Sequence, residues 1–243
     1  NDNNTETKDR CCNHQCSGGK IMVVGLGPGD TDLLTPRALA SIREADLIIG
    51  YKTYVDLIQD LISDKSVISS GMRKEIDRAR LAVDEACAGK NVAVVSSGDP
   101  GVYGMAGIVL EVARNKVPVE IIPGVTAATS SASVLGAPLM HDFAVISLSD
   151  LLTPWDTISQ RLRAAAAGDF IMVLYNPRSK GRPENINQAR EILLPLLNPQ
   201  TPVGIVRCAQ RGEQSSVITT LQDMLDSEID MLTTVIIGNT QTR

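Results

Sequence analysis

No stretch of the 243-residue chain approaches the roughly 18 consecutive apolar residues needed to span a bilayer, and no secretory apolar core stands near its start. Positive charge is not in excess either. The formal net charge is −5, which gives no support to general nucleic-acid binding, where an overall basic footprint is usual. Internal repeats and low-complexity tracts are lacking, which sets aside solenoids and repeat arrays. The five cysteines follow no standard metal-site spacing. What is present is an ordinary globular composition, 43% hydrophobic and 21% charged. That is enough for a real core, in one large domain or two of ordinary size. A cytoplasmic protein is the expectation. The chain opens with Asn1 rather than Met, as a processed form or a piece of a longer polypeptide would.

Cys11, Cys12 and Cys16 cluster with His14 in a polar leader ending Ser17-Gly18-Gly19. Thiols and an imidazole so close together are zinc or iron–sulfur ligand types. Adjacent Cys11 and Cys12 cannot easily face one tetrahedral ion, so the expectation is a disordered tail over 1–19 and no metal. Cys87 and Cys208 fall in a predicted helix and strand and are expected to be small buried hydrophobes.

From residue 20 onward short apolar runs alternate with helical patterns. Strands are predicted at 20–25, 46–50, 66–69, 91–96 and 118–122, with helices at about 32–44, 53–62, 73–88, 104–115 and 125–135. Thr31 or Asp32 is a suitable cap for the first helix, and Gly89 a suitable terminator for the third. Such alternation implies a parallel sheet with helices on its faces. The segment Gly136-Ala137-Pro138-Leu139-Met140-His141 has the composition of a linker. Beyond it strands are predicted at 143–148, 170–175, 202–207, 215–219 and 232–238, and helices near 155–167 and 184–194. The expected fold class is α/β with two domains: a parallel-sheet domain over 20–138 and a mixed α+β domain over 139–243. A ligand cleft between them is the expectation.

Gly25-Leu26-Gly27-Pro28-Gly29-Asp30 follows the apolar run Ile21-Met22-Val23-Val24 and stands close to a dinucleotide-binding fingerprint. Pro28 removes an N–H donor, and Asp30 puts negative charge where a phosphate would rest. A neutral or cationic ligand fits this loop better than a phosphate. Two more small-residue loops follow predicted strands: Ser96 to Gly104, containing Gly98-Asp99-Pro100, and Pro123-Gly124-Val125-Thr126-Ala127-Ala128. In a parallel sheet all three emerge at the carboxyl edge, where open α/β sheets bind ligands. None carries a P-loop lysine, which disfavours a nucleoside triphosphate.

Together these loops resemble those of the tetrapyrrole (corrin/porphyrin) methylase family. Longer strings resemble its precorrin-3B or cobalt-factor III C17-methyltransferase branch. They are Gly50-Tyr51-Lys52-Thr53-Tyr54-Val55-Asp56-Leu57-Ile58, His141-Asp142-Phe143, Ser147-Leu148-Ser149-Asp150-Leu151-Leu152-Thr153-Pro154-Trp155 and Tyr175-Asn176-Pro177-Arg178-Ser179-Lys180. The similarity runs from about Lys20 to Arg243, and the cysteine-containing leader lies outside it. It implies a tetrapyrrole methylase-like fold, commonly a homodimer, with S-adenosylmethionine in the cleft between the domains. It further implies methyl transfer to C17 of a cobalamin precursor with ring contraction.

By position in the family's motifs, the cofactor contacts implied are Pro28, Ser97, Gly98, Asp99, Val102, Thr126 and Ala127, with Asn176 and Ala209 from the second domain. The substrate bears acetate and propionate arms, so a local basic cluster must recognise it in an acidic protein. Arg178, Lys180 and Arg182 form the best one, with Arg73-Lys74, Arg207 and Arg211 as further candidates. Ring contraction needs proton movement, for which Tyr103, His141, Asp142, Ser149 and Asp150 are candidates, with Asp99 beside them in the cleft. Open alternatives are a methylase of the same scaffold acting at another macrocycle carbon or on ribosomal RNA or protein, and a non-catalytic cofactor-binding domain. A nicotinamide oxidoreductase is disfavoured by Pro28 and Asp30.

Overall fold

The computed structural model describes residues 18–71 and 74–243. The expectations placed on Cys11, Cys12, His14, Cys16 and Arg73 fall outside the described residues.

The first sheet holds β1 (Lys20–Gly25), β2 (Leu47–Tyr51), β3 (Ser66–Ser70), β4 (Asn91–Ser96) and β5 (Val119–Ile122), in the order β3-β2-β4-β1-β5. All its pairings are parallel. The central strands are continuous apolar runs because helices cover both faces. Ile21 and Val23 of β1 point to one face, where α3 (Glu75–Cys87) and α4 (Ala106–Ala113) cover them. Met22 and Val24 point to the other, under α1 (Pro36–Glu44) and α2 (Lys52–Asp56).

The second sheet is mixed, as expected. It contains β6 (Phe143–Ser147), β7 (Ile171–Tyr175), β8 (Pro202–Arg207), β9 (Ser215–Thr220) and β10 (Thr233–Ile237), in the order β6-β7-β10-β8-β9. Only β6 and β7 run parallel. One face carries α6 (Trp155–Ala167) and α7 (Asn185–Leu193). The other face takes α5 (Ala127–Val134), whose Ala128 and Ala132 pack on Ile171, Val173 and Ile236. Thus α5, which follows the last strand of the first sheet, covers the second.

Two helices begin or end differently from the sequence expectation. The one expected over 32–44 is split. Asp30 caps a short 3-10 turn at Thr31–Leu33, accepting from the Asp32 amide at 3.0 Å. The α-helix starts only at Pro36, with Thr35 as its cap through a 3.0 Å bond from the Ala38 amide. Proline pushes the residue before it out of helical backbone and sits best at the first helical position, so the cap moves to Thr35. Likewise the span 53–62 is α2 followed by a separate 3-10 turn at Gln59–Leu61. Gly89, at φ +97°, does follow the end of α3, and its amide donates to the Ala86 carbonyl at 3.0 Å.

Candidate active site

Because β4, β1 and β5 are adjacent and parallel, their three following loops emerge side by side. They are interlocked through backbone. Gly27 and Gly98 exchange N–H···O bonds of 3.1 and 2.8 Å. A Cβ on Gly25 would lie 2.7 Å from the Gly98 carbonyl oxygen, and one on Gly124 only 2.2 Å from it. These glycines are therefore required by chain crossing rather than by a ligand. Asp99 belongs to the same lock: its Oδ1 accepts from the Gly101 amide at 2.8 Å and its Oδ2 from the Gly124 amide at 3.1 Å.

Three side chains join these loops to the second sheet. Arg211, in the turn after β8, donates through Nε to the Pro28 carbonyl at 2.5 Å and through Nη2 to the Ser97 hydroxyl at 3.4 Å. Tyr103, in left-handed backbone at φ +53°, donates to the Val145 carbonyl at 3.0 Å and accepts from the Ser147 amide at 3.1 Å. The phenol oxygen of Tyr175, at the end of β7, accepts from the Ala128 amide at 2.6 Å and shares a 2.5 Å hydrogen bond with the Thr126 hydroxyl. The Tyr103 and Tyr175 rings meet edge to face with centroids 5.4 Å apart. Next to Tyr175, Asn176 is also left-handed at φ +52° and donates to the Ser147 hydroxyl at 3.0 Å. Thus Pro28, Ser97, Gly98, Asp99, Tyr103, Thr126, Ser147 and Asn176 belong to one bonded constellation at the junction of the two sheets. Around Arg211 a cleft of about 430 Å³ opens, lined also by Gly29, Asp30, Leu57, Gln210 and Gln214.

Comparison with known proteins bears on this arrangement. The family model of Tetrapyrrole (Corrin/Porphyrin) Methylases matches residues 20–225. The chain belongs to that family. A cobalt-factor III methyltransferase of Priestia megaterium is 53% identical over 231 residues, 92% of this chain and 43% of that protein. This chain therefore spans under half the length of that relative. A probable cobalt-factor III C(17)-methyltransferase of Salmonella typhimurium is 48% identical, covering 91% of this chain and 93% of the relative. Among solved structures, the methyltransferase CobJ superposes with a TM-score of 0.85 at 40% identity, over 93% of this chain and 96% of the other. The uroporphyrin-III C-methyltransferase of Thermus thermophilus, complexed with S-adenosylhomocysteine, gives 0.73 at 28% identity, over 90% and 97%. The two-sheet architecture expected from the tetrapyrrole methylase resemblance is thus the one observed, and the C17 branch named from the longer strings is the branch of the first relatives.

The remaining sequence candidates divide along β6. Ser149 and Asp150 follow its carboxyl end, the end that meets Tyr103 and Asn176. His141 and Asp142 precede its amino end, at the opposite edge of the sheet, where the Asp142 carbonyl accepts from the Ile171 amide at 3.1 Å. A five-residue strand separates the two groups by about 16 Å. The basic loop after β7 is only partly committed to its own surroundings, and the Arg178 Nε is buried without a partner. Arg182 is ion-paired with Asp150, and Arg178 donates to the Asn187 side chain at 3.0 Å. Lys180 is exposed. Arg207 pairs with Asp230 at 2.7 Å. Val102, Ala127 and Ala209 are half-buried, and Ala209 lies two residues before Arg211.

Burial pushes the Tyr175 phenol above the usual tyrosine range, with the hydrogen bonds from Thr126 and Ala128 pulling the other way. Burial likewise raises Tyr54, against the opposing Arg211 charge. Sequence reasoning left Tyr175 out of the site although it begins one of the family-like strings. Its position at the end of a buried strand, next to a left-handed asparagine, is the signal that marks it.

Proposed function

We propose that this chain is an S-adenosylmethionine-dependent C-methyltransferase of cobalamin biosynthesis. It methylates C17 of precorrin-3B or cobalt-factor III, with ring contraction to precorrin-4 or cobalt-precorrin-4. The observation that carries the reading is the identity of 48% to the Salmonella protein over nearly the whole of both chains, on the fold of CobJ.

The donor set around the junction fits the cofactor. Ser97 and Thr126 offer hydroxyls and Asn176 an amide, beside the small apolar surfaces of Val102 and Ala127, and no lysine stands there to hold a phosphate. Pro28, Gly98, Asp99 and Ala209 complete the proposed cofactor wall. When bound, S-adenosylmethionine supplies an activated methyl group on a sulfonium cation. The chain's own part is alignment, for which proximity is worth about 7–11 kcal/mol. Asp99 contributes by fixing the Gly101 and Gly124 loops, and Arg211 by fixing Pro28 and Ser97. Proton movement during contraction falls to the groups at the carboxyl end of β6, Ser149 and Asp150, with Tyr103 adjacent. His141 and Asp142, at the other end of that strand, are not favoured for this step. Lys180, with Arg178 and Arg182, forms a candidate surface for the substrate's acidic arms.

The enzyme is further proposed to act as a cytoplasmic homodimer that binds a tetrapyrrole and neither membrane nor nucleic acid. The acidic net charge supports the last point. The exposure of Met140 (77%) and Leu152 (89%) supports an apolar contact with a second copy. No helix among the described residues is long and apolar enough to cross a membrane. Incubation with S-adenosylmethionine and cobalt-factor III or precorrin-3B, with mass and NMR analysis of the product, tests the reading. A new methyl at C17 is expected. A methyl at another carbon, or none from a folded chain that binds S-adenosylhomocysteine, overturns it. Sedimentation velocity tests the dimer.

A further inference from the structure

Of the arginines near the cleft, two are matched to acids and two, Arg178 and Arg211, have no ion pair among the described residues. Arg182 pairs with Asp150 and Arg207 with Asp230 and Glu213, while Arg178 donates one Nη to Asn187 and keeps its Nε buried without a partner, away from any ligand. Arg211 is half-buried, and no carboxylate among the described residues lies within ion-pair distance of it. Two of its five N–H donors are used, on Pro28 and Ser97. Neither of those partners carries charge. The nearby acid of the cleft, Asp30, accepts instead from the Asp32 amide at 3.0 Å. A half-buried guanidinium with spare donors and no counter-ion is a receptor for an anion, and its planar fork suits a carboxylate.

The loop after β1 is shaped around this side chain. Gly29 has φ +144°, and a Cβ placed there would lie 2.5 Å from Arg211 Cγ and 2.8 Å from Nε. The glycine that opens the Pro28–Asp30 bend is thus also the gap through which Arg211 passes. Sequence positions 183 residues apart are coupled in this way.

We propose that Arg211 is the carboxylate anchor of the cleft. Its Nε braces Pro28 while the free Nη donors take an acetate or propionate arm of the macrocycle, in preference to Arg182, which Asp150 already neutralises. This assignment rests on the tetrapyrrole reading above and adds to it the residue that holds the substrate's charge.

The test titrates the full chain with uroporphyrin III, a fluorescent macrocycle bearing an acetate and a propionate on every pyrrole, and separately with S-adenosylhomocysteine. Arg211→Gln is expected to weaken the porphyrin about 10- to 100-fold, the range for loss of a charge-assisted contact. S-Adenosylhomocysteine should weaken too, through the lost braces on Pro28 and Ser97, but by a smaller factor than the porphyrin. Arg211→Lys, which keeps the charge and loses the fork, should fall between. Equal porphyrin affinity in wild type and Arg211→Gln overturns the proposal, as does absence of porphyrin binding to wild type. A parallel loss of both ligands also overturns it, since that marks Arg211 as a brace alone. Selective porphyrin loss in a chain that transfers no methyl group leaves the anchor standing and removes the catalytic reading instead.

Discussion

Replacing Tyr175 by phenylalanine removes a single oxygen atom and leaves the ring in place against Tyr103. That oxygen is the cap of α5. Thr126 occupies the N-cap position of the helix, yet its own hydroxyl caps no amide. The Ala128 amide instead donates to the Tyr175 phenol at 2.6 Å, across 47 residues of sequence. Ala128 is 1% exposed, so water has little room to take over the bond. A buried amide left without a partner costs about 1–3 kcal/mol. For a chain of this size each kcal/mol moves Tm by about 2–4 °C, so a fall of about 2–12 °C is expected. Urea unfolding and thermal scans monitored by circular dichroism measure both quantities. Alkaline titration adds a signature of the phenol itself. Its folded pKa is raised by burial, so its contribution is full below the ordinary tyrosine value of about 10 and is lost as pH rises toward the folded value. Wild type should therefore lose stability above that pH more steeply than Tyr175→Phe, the buried Tyr54 being common to both. A change below about 0.5 kcal/mol, the size of an ordinary surface substitution, would refute the capping argument.

Other consequences follow from the same contacts. Gly124→Ala forces a Cβ to within 2.2 Å of the Gly98 carbonyl oxygen, and a loss of about 3 kcal/mol, the upper range for overpacking, is expected in urea unfolding. Asp99→Ala releases the Gly101 and Gly124 amides together, and calorimetry should show weaker S-adenosylhomocysteine binding; unchanged affinity would separate that loop lock from the cofactor. Asp230 is held below its ordinary value: burial opposes this, but hydrogen bonds from Arg207, the Leu232 amide and Thr233 outweigh it. Its stabilisation is present above the unfolded carboxylate value of 3.8 and disappears as pH falls through the lower folded value, so Asp230→Asn should flatten the acid limb of a stability–pH curve.

The first sheet was legible because β1, β2 and β4 are unbroken apolar runs, and such runs belong to parallel strands covered on both faces. Parallel direction alone was enough to bring the loops at Gly25, Gly98 and Gly124 to one edge. What spacing could not carry was who meets whom across the junction. Arg211 and Pro28, or Tyr175 and Ala128, are distant in sequence, and no local periodicity links them. Asp99 is a cofactor and catalytic candidate from sequence, while its bonds to two loop amides show a structural task that composition does not reveal. His141 was singled out for its chemistry, and strand direction is what separates it from Ser149 and Asp150. The helix expected from residue 32 ignored the local rule at Pro36, which moves its start to Thr35.

Tyr103 also bears on the assembly of the second sheet. Strand β6 of that sheet is outermost, and an outer strand offers unpaired main-chain groups to any chain that can lie alongside. The Tyr103 phenol engages the Val145 carbonyl and the Ser147 amide, the pair that a further strand would use. One oxygen atom thus stands in for a neighbouring strand and closes that margin to fibril-like addition. Loss of Tyr103 would reopen it, making self-association at concentration a sensitive reporter of how the two halves meet.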